Sequence, residues 1–194
     1  VITPHAAYEY TGRVTTAAYL SLAKSRGEAA RHAHPGRILL IGPLHREREN
    51  KFIFPESEAF RSPLGDVRIE RESVEKLTAS CSCAEENEIP FTEEHCLETQ
   101  IPFIHFYFPE AAVLPVLAGA VTKRNVSAFV GALFSVIPDL LETTSVVATV
   151  NSATAEHYDT AIGQARELKE QLIPGNQEYF FSGEASKHLS SCSP

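Results

Sequence analysis

Apolar residues along this chain switch between two periods, and that switching is its strongest structural signal. Short uninterrupted runs such as Ile38-Leu39-Leu40-Ile41 and Val146-Val147-Ala148 alternate with longer stretches whose apolar positions recur every three or four residues. The first pattern suits buried strands and the second amphipathic helices. Residues 1–3 read as a strand ending at Pro4-His5, residues 13–31 as the first helix, and residues 37–42 as the clearest buried strand, with loop 43–50 carrying His45. Residues 52–54 and 67–69 are expected as short paired strands with Ser62-Pro63-Leu64-Gly65-Asp66 as a turn, followed by a helix over 70–80. Leu97, Ile101, Ile104 and Phe108 give helical spacing across 93–108, but Pro102 must bend that helix or sit in a first turn. Strands at 113–117 and 145–150 flank a helix at 123–137, with Thr122 or Asn125 as its cap. The last strong helix, 158–172, is stopped by Pro174-Gly175. Alternating strands and helices predict an α/β chain folded as a three-layer αβα sandwich.

Composition narrows the function classes. With 194 residues, 43% hydrophobic and 22% charged, and with no repeat or interdomain linker, the chain is expected to form one domain over 1–194. It is expected to lack its extreme N- and C-terminal segments. A net charge of -8 with 17 scattered basic residues argues against nucleic acid or an anionic membrane as partner. The longest apolar runs fall short of the roughly 20 residues a membrane span needs. The 4 cysteines are too few for a disulfide scaffold, which fits a reducing cytoplasm. Cys81-Ser82-Cys83 lacks the two-residue gap of a structural zinc site and reads as a loop feature rather than a redox centre.

Histidines carry the candidate chemistry. His5, His45 and His157 each stand just past an apolar β-like run, and in open α/β sheets catalytic and ligand groups gather beyond the carboxyl ends of strands. Imidazole is the commonest metal ligand and the side chain best suited to proton transfer near neutral pH. Together the three are expected to converge in one metal or acid/base pocket. Glu94-His95-Cys96-Leu97-Glu98 places a histidine between carboxylates, a pairing that orients a metal-bound imidazole. Glu94 and His95 are therefore expected to support the pocket, and the bland alternative makes Glu94 a helix N-terminal acid and His95 a core residue. His32, His34, His105 and His188 are assigned no chemistry. Phosphate-binding glycine loops, nucleophile elbows and His-Glu-x-x-His helices do not occur.

Five blocks then become recognisable in order: Pro4-His5-Ala6-Ala7-Tyr8-Glu9-Tyr10-Thr11-Gly12, Gly42-Pro43-Leu44-His45, Arg61-Ser62-Pro63-Leu64-Gly65-Asp66, Glu94-His95-Cys96-Leu97-Glu98 with Pro102, and Leu114-Pro115-Val116-Leu117. They resemble the successive signatures of the Memo family, which includes AmmeMemoRadiSam system protein B members and is similar in fold to class III extradiol ring-cleaving dioxygenases. The resemblance implies a mixed, mainly parallel sheet with a metal pocket at one end. It makes His5 and His45 metal ligands and His157 the counterpart of the dioxygenases' acid/base. Ser190-Ser191-Cys192 looks like the segment bearing the family's pocket cysteine, so Cys192 is expected as third ligand in place of a carboxylate. Tyr10 would line the pocket mouth.

This chain departs from the family where a Ser-Asp-x-x-His loop is usual and Ala153-Thr154-Ala155-Glu156-His157 stands instead. Iron dioxygenases usually combine two histidines with one carboxylate, whereas two histidines and a thiolate favour copper or zinc. One metal ion is expected, iron or copper ahead of zinc. The resemblance thus implies a metal-dependent oxidoreductase acting on a small molecule; the alternative is a non-catalytic metal-binding module that captures a peptide or small ligand. A zinc hydrolase ranks third, for want of a carboxylate placed to activate water.

Overall fold

A computed structural model describes residues 1–25, 36–46, 49–151 and 157–180. The chain forms two compact units, Val1–Thr149 and Val150–Pro194. In the first, six strands make one sheet: β1 (Ile2–Thr3), β2 (Arg37–Pro43), β3 (Phe52–Phe54), β6 (Ala84–Glu86), β7 (Ala112–Ala118) and β8 (Thr144–Thr149), in the order β1-β8-β2-β7-β3-β6. β1, β8, β2 and β7 run parallel, β3 turns antiparallel against β7, and β6 follows β3 in parallel. The sheet is mixed and mainly parallel, with helices on both faces.

The apolar runs explain the layering. Alternate residues of a strand face opposite ways, and β2 sends Ile38 and Leu40 into one cluster and Leu39 into the other. On the first face α1 (Tyr8–Ser25) contributes Tyr19, and α4 (Ile101–Tyr107) contributes Ile101 and Ile104. On the second, α2 (Arg71–Ser80) contributes Val74 and Leu77, and α5 (Lys123–Val136) contributes Phe129 and Leu133. A short α6 (Leu140–Thr143) leads into β8. Thr122 caps α5, accepting from the Asn125 backbone N–H at 3.3 Å.

Three expectations need correction. The first helix starts at Tyr8, five residues before the expected start, since Tyr8-Glu9-Tyr10 extends the Ala-rich helix back toward β1. Phe52–Phe54 does not pair with 67–69: β4 (Ala59–Ser62) and β5 (Gly65–Arg68) pair with each other as a hairpin, and β3 is drawn into the main sheet. Gly65, at φ 138°, supplies the backbone that closes that hairpin. The 93–108 stretch is not one helix. It divides into the end of α3 (Ile89–Glu93), an extended crossing at Glu94, a single 3-10 turn at Glu98–Gln100, and α4, where Pro102 sits in the first turn. Pro tolerates that position because no backbone N–H is needed there.

In the second unit α7 (Tyr158–Leu172) has the expected bounds, and α8 (Gln177–Phe180) follows the turn at Gly175, whose φ is 68°. Tyr179 donates from its hydroxyl to Glu167 at 3.1 Å. No helix among the described residues is long and apolar enough to cross a membrane.

Candidate metal centre

The parallel strands β1, β8 and β2 end level with one another, with Thr3 opposite Thr149 and Ile41 opposite Ala148. The chain leaves β1 at Pro4-His5 and β2 at Leu44-His45, so two distant histidines reach the same carboxyl edge. Gln100, 1% exposed, fixes the first exit. Its Nε2 donates to the Pro4 carbonyl at 3.0 Å, while its Oε1 accepts from Thr3 Oγ1 at 3.0 Å and the Tyr19 hydroxyl at 3.3 Å. Gly42 permits the second exit. A Cβ there would lie 2.7 Å from both Cys96 Sγ and Leu97 Cδ2, and 2.9 Å from Thr149 Oγ1. The Glu94–Leu97 crossing therefore packs directly against the end of β2, and Cys96 donates its thiol hydrogen to the Pro43 carbonyl at 3.2 Å.

Three imidazoles meet at this edge. The ring centroids of His5 and His45 are 5.2 Å apart, those of His5 and His95 5.8 Å, and those of His45 and His95 5.6 Å with the planes almost parallel. His5 is buried, His45 has a side chain 8% exposed, and His95 is open to solvent. His95 is thus not a core residue. It forms the outer side of the cluster.

Glu94 grips His45 twice, accepting from the backbone N–H at 2.5 Å and from Nδ1 at 2.7 Å. A carboxylate oxygen accepts, so Nδ1 carries the hydrogen of this contact, and in the neutral ring Nε2 is the nitrogen that holds the lone pair. That Nε2 is buried and has no hydrogen-bond partner among the described residues. Burial, then the neighbouring His45 and His95, push His5 down to about 4 despite the opposing pull of Glu94. His5 is therefore neutral near pH 7, the form that ligates metals.

The nearest ligand atoms of His45, Glu94 and Cys96 all lie within 4.8 Å of one another, so a His/Glu/Cys cluster able to coordinate a metal ion is present. Cys96 is its least ready member: burial, then the Glu94 charge, push its thiol up to about 12. Next to Glu94 opens a cleft of about 270 Å³ whose lining includes Phe60, Arg61, Phe91, Thr92 and Leu97 but none of the three imidazoles.

Of the residues expected from sequence, His5, His45, Glu94 and His95 stand together. Tyr10 lies in the first turn of α1 and is 77% exposed. His157, in the second unit, is exposed and occupies the N-cap position of α7. Cys192 and the 152–156 loop lie outside the described residues, as do His32, His34 and His188. Cys96 and Gln100 were not singled out by sequence. Cys96 sits inside the Glu94–Glu98 block, but only the close packing at Gly42 gives it a place in the site. Gln100 carried no local signal.

The family described as Memo-like protein matches residues 1–180. A MEMO1 family protein of Caldivirga maquilingensis is 27% identical over 182 residues, an alignment covering 94% of this chain and 62% of the relative. One from Methanopyrus kandleri is 27% identical over 173 residues, covering 89% and 59%. Another, from Thermotoga neapolitana, is 35% identical over 117 residues, covering 60% of this chain and 39% of the relative. The chain thus spans 39–62% of the length of these relatives.

Proposed function

This chain belongs to the Memo-like protein family, and from that premise we propose that it holds one transition-metal ion through His5 and His45, with His95 at the open side, and uses it in oxidative chemistry on a small molecule. The observation that carries the reading is the buried Nε2 of His45, which has no hydrogen-bond partner among the described residues, lies across the ring from the Nδ1 that Glu94 holds and is set among two further imidazoles. Imidazole donors suit iron, copper and zinc, whereas magnesium and calcium favour oxygen. When bound, iron or copper with an open coordination position would supply the redox chemistry. Glu94 keeps the His45 ring in one tautomer and orientation. His95, exposed beside two buried or nearly buried rings, meets an incoming ligand first, and the cleft next to Glu94 offers a small molecule room. His157 as acid/base and Cys192 as third ligand keep the roles implied by the family resemblance. The family match over 1–180 spans both units and supports reading them as one Memo-like domain.

A second reading, a metal-binding module without catalysis, is favoured by one observation. Both Glu94 oxygens are committed to His45, so the carboxylate that would complete a two-histidine, one-carboxylate iron site is already occupied. Anaerobic reconstitution with ferrous iron, cuprous copper or zinc, followed by metal analysis and dioxygen-uptake assays with catechol, separates the readings. Stoichiometric metal that is lost in His45→Ala supports the site, and dioxygen uptake by the loaded protein supports the oxidoreductase. Metal retained equally in His45→Ala sinks both.

A further inference from the structure

We propose that Cys81 and Cys83 form a dithiol modification site, separate from the imidazole cluster, that closes to an intramolecular disulfide on meeting a small-molecule disulfide. Sequence read the pair as a loop feature, yet the two sulfurs are in contact at 2.9 Å. The backbone holds them there. Cys81 terminates α2, its N–H bonded to the Leu77 carbonyl at 2.9 Å; the Ala84 N–H returns to the Cys81 carbonyl at 2.9 Å, closing a turn; and the Cys83 carbonyl accepts from Phe52 at 2.8 Å. Both residues are buried, at 5% and 6% exposure, against Val74, Leu77 and Phe129. Packing as small apolar side chains would account for their burial. It does not require the sulfurs to touch.

A disulfide needs its sulfurs at about 2.05 Å, so closure from contact asks for a displacement of less than roughly 1 Å. In the first step one cysteine, as thiolate, attacks a sulfur of the reagent R–S–S–R, forming a protein–S–S–R bond and releasing one R thiolate. In the second, the neighbouring cysteine loses its proton and attacks the protein sulfur of that mixed disulfide, releasing the second R thiolate. The dithiol gives up two electrons, the reagent is reduced to two R–SH, and the two protons go to those leaving groups. Burial, then the Cys81 neighbour, push the Cys83 thiol up to about 11, which slows the first exchange. The second is intramolecular between groups already in contact, so the mixed disulfide does not accumulate.

The test uses the full native chain and hydroxyethyl disulfide as probe, with acid quenching, denaturation, alkylation of remaining thiols and mass mapping. Glu75, Glu85 and Glu86 allow cleavage that separates Cys81 and Cys83 from Cys96. The expected product is a fragment that has lost two hydrogens and takes up no alkyl group, while Cys96 is fully alkylated. In Cys83→Ser, Cys81 should instead retain a stable mixed disulfide. If that variant does not fold, the wild-type map decides alone. A lasting mixed disulfide on either cysteine of the wild type, full alkylation of both after prolonged exposure, or a link from either to another cysteine would overturn the proposal.

Discussion

Glu94 and His45 are 49 residues apart in sequence and joined at two points, a backbone N–H and a ring nitrogen both donating to one buried carboxylate. A single contact would leave the imidazole free to swivel. The second ties the loop backbone and the ring to the same group, so the direction of Nε2 is set before any metal arrives. Glu94→Gln should therefore lower metal affinity by about 10- to 100-fold while leaving the fold intact. Competition with a chromophoric chelator reads the affinity and circular dichroism the fold; unchanged affinity would remove Glu94 from the site.

Gln100 performs the matching task for His5 by bonding to the Pro4 carbonyl and to the Thr3 and Tyr19 hydroxyls. Gln100→Leu keeps the volume and strands these polar groups in the interior, so the protein should lose about 1–3 kcal/mol of stability. Urea unfolding measures the loss. Metal affinity should fall as well, because the exit that carries His5 is no longer pinned.

Gly42→Ala tests the close approach of the Glu94–Leu97 crossing to β2. The new methyl would meet Cys96 Sγ and Leu97 Cδ2 at 2.7 Å, so the crossing must shift or the strand end must yield. A destabilisation of about 1–3 kcal/mol, typical of overpacking, is expected in denaturant titration. A midpoint equal to that of wild type would show that the crossing moves freely.

Acid stability should depend on Glu70. Burial alone would raise its carboxyl, but the Ser73 hydrogen bonds and the Arg37 guanidinium at 3.2 Å outweigh that effect and hold it below its ordinary value of 4.5. A carboxylate depressed in the folded state stabilises fully above the unfolded pKa, and its contribution disappears as pH falls through the folded one. Glu70→Gln should thus cost about 1 kcal/mol at pH 7, in the range of a lost helix cap. Its deficit relative to wild type should shrink as pH drops below about 4.5. Parallel unfolding curves for the two proteins at all pH values would refute this.

Local pattern alone settled a good deal of this protein. The uninterrupted run at Ile38–Ile41 marked the clearest buried strand, the spacing over 158–172 gave α7 its bounds, and Thr122 was one of two candidate caps, with Asn125, for α5. His5 and His45 were legible because each directly follows a strand, and in a parallel sheet strand exits share one edge. Tertiary structure decided the rest. Nothing in Phe52–Phe54 says that it joins β7 and β6 rather than 67–69, since strand partners are chosen by packing between segments far apart in sequence. The apolar spacing over 93–108 satisfies a helix, yet the chain breaks at Glu94 because an extended crossing there fills the space above Gly42 and brings carboxylate and thiol to the ends of β2. Gln100 became a support for His5 only once β1, α1 and the 3-10 turn were folded together. Periodicity is a property of neighbours in sequence, whereas the site is made by neighbours in space.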